Sequence, residues 1–312
     1  EYRRQRQMCI RDSLDTFALR TRRSFYGARQ GTHRSQRRGH GVEFAEYRSY
    51  ELGDNPRYID WNLYARSDKI YVKRYLEEET VSVFMVIDGS RSLTHPSLQL
   101  KWHAAAHLTT CASYIALASH DPVTVSVLGG HQSPQFWGPR SFSPLGAFLD
   151  SEGAQLIEGS PAKIDIVEAA RIAATRVRFP GICVVISDFL YPLEEVVTML
   201  SSFRSRNMEI HAVQMLGAQD IDPDPASSGS TLVDSETGEE IGLSLDPSAR
   251  EQYAKKLAEH TEAIRQHCLS AQIHFVQAVA REPLAENSIS ILSEMGLFVC
   301  CLLYTSPSPR DA

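Results

Sequence analysis

Residues Val83-Phe84-Met85-Val86-Ile87 run without interruption into Asp88-Gly89-Ser90-Arg91-Ser92, and no other stretch of the 312-residue chain constrains its fold as tightly. An apolar run of this length reads as a strand buried on both faces, which places it inside a parallel sheet. Open sheets of that kind carry their chemistry just beyond the carboxyl ends of the strands. Asp88, Ser90 and Ser92 therefore leave the core together and present three oxygens to one spot. Hard divalent cations such as Mg²⁺ take oxygen ligands of this sort.

From residue 81 onward strand and helix patterns alternate. The first strand, 81–88, precedes a helix at about 98–119, with Leu98, Trp102, Ala105, Leu108, Ala112 and Ile115 at helical spacing. A strand follows at Val123–Leu128, then an irregular excursion over 131–142 and helical segments near 144–150 and 164–177. The apolar run Ile182-Cys183-Val184-Val185-Ile186 ends in Ser187-Asp188, with a helix over about 192–206 and a strand at 210–216 behind it. Residues 220–247 read as an insertion, turn-rich at first and then a β-hairpin over 231–241. A long helix at about 248–271, a strand at 273–279 and a last helix at about 283–295 complete the pattern. Such alternation gives an α/β fold, a mostly parallel sheet with helices on both faces.

The segment before residue 81 reads differently. Residues 14–40 are a basic, glycine-rich arm, more simply a solvated wrapping segment than a phosphate or acidic-partner contact, because no aromatic pattern interleaves its arginines. Residues 42–80 read as a small β-rich lobe of short strands and turns. Within it Ser67-Asp68-Lys69 is expected as a hairpin loop before a strand at 70–75, and Trp61 and Tyr64 as anchors of the lobe against the sheet.

The two ends read as foreign. Residues 3–13 and 301–311 are what transposon sequencing-adapter DNA gives when translated, so 1–13 and 300–312 are set aside from fold reasoning. Five basic and three acidic residues leave with them, which moves the formal net charge from −6 to about −8. A mildly acidic total argues against bulk nucleic-acid binding. Cys111, Cys183 and Cys268 remain, scattered and without a C-x-x-C spacing, which fits a reducing cytoplasm. No apolar run reaches the roughly 18–20 residues of a membrane span.

Two aspartates, Asp88 and Asp188, thus end buried strands and are expected at one edge of the sheet. Converging carboxylates repel unless a cation or hydrogen-bond donors compensate. With Ser90 and Ser92 they offer four oxygens, a set that suits the open, partly hydrated octahedral shell of Mg²⁺. The competing reading is that Asp88, Ser90, Ser92 and Asp188 are helix caps. Each alone reads better as a cap; the four together favour the metal site.

Asp-x-Ser-x-Ser after a buried strand, with a second strand-ending aspartate, resembles the metal-ion-dependent adhesion site of von Willebrand factor A domains. The stretch upstream, Gly41-Val42-Glu43-Phe44-Ala45-Glu46-Tyr47-Arg48, then Gly53-Asp54, Arg57, Ile59-Asp60-Trp61, Ala65-Arg66 and Tyr71-Val72-Lys73, is similar to the short soluble subgroup of bacterial domain-of-unknown-function family fifty-eight. The resemblance implies a von Willebrand A-like domain over 81–299 with Mg²⁺ at Asp88, Ser90, Ser92 and Asp188. It also implies a cytoplasmic, non-catalytic protein-binding module working with a MoxR-type AAA+ ATPase in chaperone-like assembly. One position departs from the pattern: Ile164 stands where the adhesion site has a threonine, with Ser160 as the nearest substitute.

Other chemistries are weaker. A phosphohydrolase using Asp88 as nucleophile needs an acid two residues on, and that residue is Ser90. No phosphate-binding Gly-rich loop ending in Lys-Ser/Thr is present. His103 and His107 share a helix face, but the residues between them are alanines, and a helix-surface pair is the simpler reading.

Overall fold

In a computed structural model the described residues are 14, 17–19, 30–39, 43–94, 99–158, 164–177, 181–222, 232–233, 240–241 and 247–300. The adapter-like ends 1–13 and 301–312 lie outside them, as do Ser160 and most of the 220–247 insertion. The chain divides into a smaller unit, 22–81, and a larger one made of 1–21 and 82–312.

A short strand, β1 (Phe17–Leu19), opens the larger unit. The smaller unit holds β2 (Gln30–Gly39), β3 (Glu43–Ser49), helix α1 (Trp61–Ser67) and β4 (Tyr71–Glu79), with the strands in the antiparallel order β2-β4-β3. Residues 30–39 of the basic arm are thus an edge strand, because backbone pairing asks for no apolar side chains. The expected hairpin loop at 67–69 is likewise corrected. Asp60 caps a helix there, its Oδ1 accepting from the backbone N–H groups of Asn62 and Leu63, and Asp68 ends it in the left-handed conformation (φ 54°). Trp61 and Tyr64 are not buried anchors but exposed.

The larger unit is built on a five-stranded parallel sheet. Its elements in chain order are β5 (Ser82–Asp88), the short α2 (Arg91–Thr94), α3 (Gln99–Ala118), β6 (Val123–Leu128), α4 (Phe142–Glu158), α5 (Ile166–Thr175), β7 (Gly181–Ser187), α6 (Leu193–Arg204), β8 (Glu209–Leu216), α7 (Ala218–Ile221), the pair β9 (Leu232–Val233) and β10 (Glu240–Ile241), α8 (Pro247–Ser270), β11 (His274–Val279), α9 (Leu284–Glu294) and β12 (Phe298–Cys300). The sheet order is β11-β8-β7-β5-β6, and β12 pairs antiparallel with β1. The antiparallel β9–β10 pair forms the expected hairpin.

Burial follows from the pleat, which sends alternate residues to opposite faces. Phe84, Val86, Cys183, Val185, Ile210 and Ala212 pack with α5, α6 and α8 in one continuous core. Met85 and Ile87 point the other way and are fully buried on the side where α3 packs on the sheet and α9 packs on α3. The strands touch so closely that only glycine fits at 181: a Cβ there would lie 2.0 Å from the carbonyl oxygen of Ser82.

This strand order fixes where chemistry can sit. From β5 the chain moves outward to β6, then returns past β5 to build β7, β8 and β11 on the other side. β5 and β7 are therefore neighbours whose connections leave in opposite directions, which opens a crevice beyond their carboxyl ends.

Candidate functional site

β5 ends in Asp88 and β7 in Ser187-Asp188, so both aspartates flank that crevice. The pairing of Ile87 with Ile186 puts Ser187, rather than Asp188, beside Asp88. The Ser187 hydroxyl donates to Asp88 Oδ2 at 2.6 Å. The Ser90 N–H donates to Asp88 Oδ1 at 2.9 Å, and the Tyr191 hydroxyl lies 3.3 Å from both oxygens. Asp88, Ser90, Ser187 and Asp188 are all fully buried, and Ser92 is half-buried at the mouth. Ser90 Oγ and Ser92 Oγ are 2.9 Å apart. Gly89 lets β5 close on β6 here, since its N–H donates to the Leu128 carbonyl and a Cβ would meet that oxygen at 2.4 Å.

Asp188 has a different partner. Its Oδ2 accepts from Lys101 Nζ at 3.1 Å, and the same ammonium reaches Asp220 Oδ2 at 2.9 Å. Lys101 is only 1% exposed, a lysine of α3 enclosed at the sheet edge. Burial acts to lower its pKa, but Asp188 and Asp220 outweigh that and the net shift is upward, so the ammonium stays charged. The Asp188 carbonyl accepts from Gln214 Nε2 at 3.1 Å, and the Asp220 carboxylate also caps the Gly217 N–H at 2.7 Å. Tyr253 of α8 donates to the Asp220 carbonyl at 2.9 Å, which ties α8 to the network.

Charge is therefore unevenly compensated. Lys101 serves Asp188 and Asp220, while no ion pair reaches Asp88 among the described residues. Burial first, and the Asp188 charge second, push the Asp88 carboxyl up to about 6.

These distances allow a test of whether the residues suit a divalent cation. Octahedral Mg²⁺ with ligands at roughly 2.0–2.1 Å sets neighbouring oxygens about 2.9 Å apart. Ser90 Oγ and Ser92 Oγ have that spacing. A carboxylate offers about four lone-pair positions, and Asp88 takes the Ser90 N–H, the Ser187 hydroxyl and, at 3.3 Å on both oxygens, the Tyr191 hydroxyl. Asp88, Ser90 and Ser92 fit a cation shell provided that the long Tyr191 contacts give way to the ion. Asp188 does not fit while Lys101 holds it, and among the described residues no cluster of three or more His, Cys, Asp or Glu could hold a metal. Ile164 does approach this edge, but only to pack: a Cβ on Gly129, just past β6, would lie 2.2 Å from its Cδ1.

Four of the network's side chains, Ser187, Tyr191, Lys101 and Asp220, were not singled out from the sequence. Lys101 carried a signal all the same. It occupies the same helical stripe as Ala105, Leu108 and Ala112, and a lysine on a core-facing stripe requires a buried anion. His103 is exposed, whereas His107 is held against α9 by Ser288 Oγ at 2.9 Å. Cys111, Cys183 and Cys268 are free and buried.

A family profile described as "Protein of unknown function DUF58" matches residues 46–263, a span that includes every residue of this network. The uncharacterized proteins Mb1516 of Mycobacterium bovis and Rv1480 of Mycobacterium tuberculosis are each 26% identical over 250 residues, covering 80% of this chain and 78% of the relative. Among solved structures, the conserved hypothetical protein BatB from Bacteroides thetaiotaomicron aligns with a TM-score of 0.40 and 15% identity, over 69% of this chain and 98% of that one. An aerotolerance-related membrane protein from Bacteroides fragilis aligns with a TM-score of 0.39 and 18% identity over the same shares.

Proposed function

The chain belongs to the family of proteins of unknown function DUF58, and from that premise we propose that it is a non-catalytic protein-binding module whose docking point is the carboxyl edge between β5 and β7. Mg²⁺ held by Asp88, Ser90 and Ser92 would accept a carboxylate from a partner protein and make the interaction metal-dependent, in the manner of a von Willebrand A-like adhesion site. The observation that carries this reading is Asp88. It is a buried carboxylate with no ion pair among the described residues, beside two hydroxyls 2.9 Å apart. A cation there would offset the burial and, second, the Asp188 repulsion that raise its pKa. Relative to the four-ligand set, the reading leaves Asp188 to Lys101. A cytoplasmic setting and a MoxR-type AAA+ ATPase as partner go with it.

Lys101 favours a second reading, a metal-independent scaffold in which the ammonium is a built-in cation for this edge. Calorimetric titration of Mg²⁺ separates the two. The first reading expects binding heat for wild type and none for Asp88→Asn or Ser92→Ala. A silent wild type at millimolar Mg²⁺ removes the metal and leaves the scaffold. The phosphohydrolase alternative gains no support from a fully buried Asp88, and phosphate release by wild type but not Asp88→Asn would be needed to revive it.

A further inference from the structure

Between β7 and α6 the chain makes a turn over 188–192 whose backbone is held against its own preference. Phe189 is fully buried and left-handed at φ 52°, a conformation that bulky side chains rarely adopt. Such a residue persists where its surroundings over-determine it, and it marks a place where position matters more than comfort. The Phe189 N–H donates to Ser187 Oγ at 2.9 Å, and its carbonyl accepts from His260 Nε2 of α8 at 2.8 Å. A carbonyl only accepts, so Nε2 carries the ring proton. The Asp188 carbonyl is tied to Gln214 of β8, and the Leu190 N–H lies 3.3 Å from Asp188 Oδ1. What this pinned turn delivers is Tyr191, whose ring packs against the hydrophobic core and whose hydroxyl reaches Asp88.

That contact differs from the others on Asp88. The Ser187 hydroxyl and the Ser90 N–H approach one oxygen each, at 2.6 and 2.9 Å. The Tyr191 hydroxyl stands 3.3 Å from both, and its one hydrogen is shared between them. A normal O–H···O bond is about 2.7–2.8 Å, so this is the bond most easily given up. Equal distances centre the hydroxyl over the carboxylate rather than beside one oxygen. A hydrogen aimed at Asp88 from there would also point at a cation that the carboxylate held.

We propose that Tyr191 is a latch on this site: its hydroxyl and a divalent cation compete for the Asp88 carboxylate, so the ion enters only as the phenol swings away. The inference rests on the Mg²⁺ reading above and adds the residue that sets the ion's affinity. Ser187 and Ser90 keep their short hydrogen bonds while Tyr191 gives up its long one. The turn's ties to β8 and α8 confine the movement to the Tyr191 side chain, a rotation between staggered rotamers. Tyr191 is only half-buried, which leaves it a solvent side to turn into.

The test is calorimetric titration of Mg²⁺ into the full chain, wild type against Tyr191→Phe, which keeps the ring and removes the hydroxyl. Losing one competing hydrogen bond should tighten Mg²⁺ binding about two- to tenfold, with unchanged circular dichroism. A second readout follows the phenol itself. In protein carrying fluorotyrosine, the fluorine NMR resonance of Tyr191 is assigned by its loss in Tyr191→Phe. Mg²⁺ should move that resonance in wild type and leave it in place in Asp88→Asn. Equal affinity in the two proteins, or a wild-type resonance that Mg²⁺ does not move, overturns the latch and leaves the metal site standing. Weaker binding by Tyr191→Phe makes the hydroxyl a ligand of the ion and overturns the latch as well. Silence in both proteins at millimolar Mg²⁺ overturns the latch together with the metal-dependent function.

Discussion

Replacing Lys101 by methionine probes a fully enclosed ammonium. The side chains involved are 2% exposed for Lys101, 0% for Asp188 and 12% for Asp220, so water screens little of the pairing. Methionine keeps much of the volume and removes the ammonium. Two carboxylates then face each other in the interior with no cation. Removing one partner of a buried ion pair destabilises by roughly 3–5 kcal/mol, because the other charge is left buried and uncompensated. For a unit of this size that corresponds to a melting temperature lower by roughly 10 °C or more. Urea unfolding followed by circular dichroism measures the loss. The triple variant Lys101→Met/Asp188→Asn/Asp220→Asn should regain a large part of it, since neutral amides need no counter-charge. A Lys101→Met loss below about 1 kcal/mol, the range of an exposed ion pair, would refute the reasoning. So would a triple variant no more stable than the single.

Three further outcomes follow from the same geometry. Asp88 has a folded-state pKa of about 6, above its reference value of 3.8, so its contribution to stability is fully present below the reference and lost as pH rises through about 6. Chelator-treated protein should therefore gain stability between pH 8 and pH 5, and Asp88→Asn should flatten that part of the urea-midpoint profile. Burial pushes the Cys111 thiol up to about 12 and the Cys268 thiol up to about 11, and raises Cys183 as well, so alkylation mapped by mass spectrometry should leave all three unmodified until denaturant is added. Gly181→Ala forces a Cβ to within 2.0 Å of the Ser82 carbonyl oxygen, backbone against backbone, and should destabilise by about 3 kcal/mol or more in the same urea assay.

Much of the fold was legible because its signals are local. The apolar run into Asp88 and the run into Ser187-Asp188 are buried strands that end where the sequence places them. The long helix before β11 spans Pro247–Ser270 against an expected 248–271. Misreadings arose where backbone geometry or a distant partner overrode composition. Basic residues 30–39 pair as an edge strand with β4 through the main chain. α4 runs over Phe142–Glu158, well beyond 144–150, and buries Glu152, whose Oε1 and Oε2 take the ring Nδ1 and backbone N–H of His131. Trp61 and Tyr64 resembled anchors because large aromatics are usually buried, but their helix is held by the Asp60 cap.

The sequence by itself determined that Asp88, Ser90 and Ser92 share one edge. Their spacing of two residues beyond a buried strand is a property of the chain, independent of what packs against it. It also determined that Asp188 ends a second such strand. Only the tertiary structure decided what each aspartate touches. The order β11-β8-β7-β5-β6 brings Ser187 against Asp88, and α3 delivers Lys101 to Asp188 across a separation of 87 residues. The physical reason is that a carboxylate's state follows from the charges and donors within a few ångströms of it. Those neighbours come from strands and helices remote in sequence, so local pattern could place the two acids while strand order and helix docking divided them, one held by a lysine and one by hydroxyl and N–H donors.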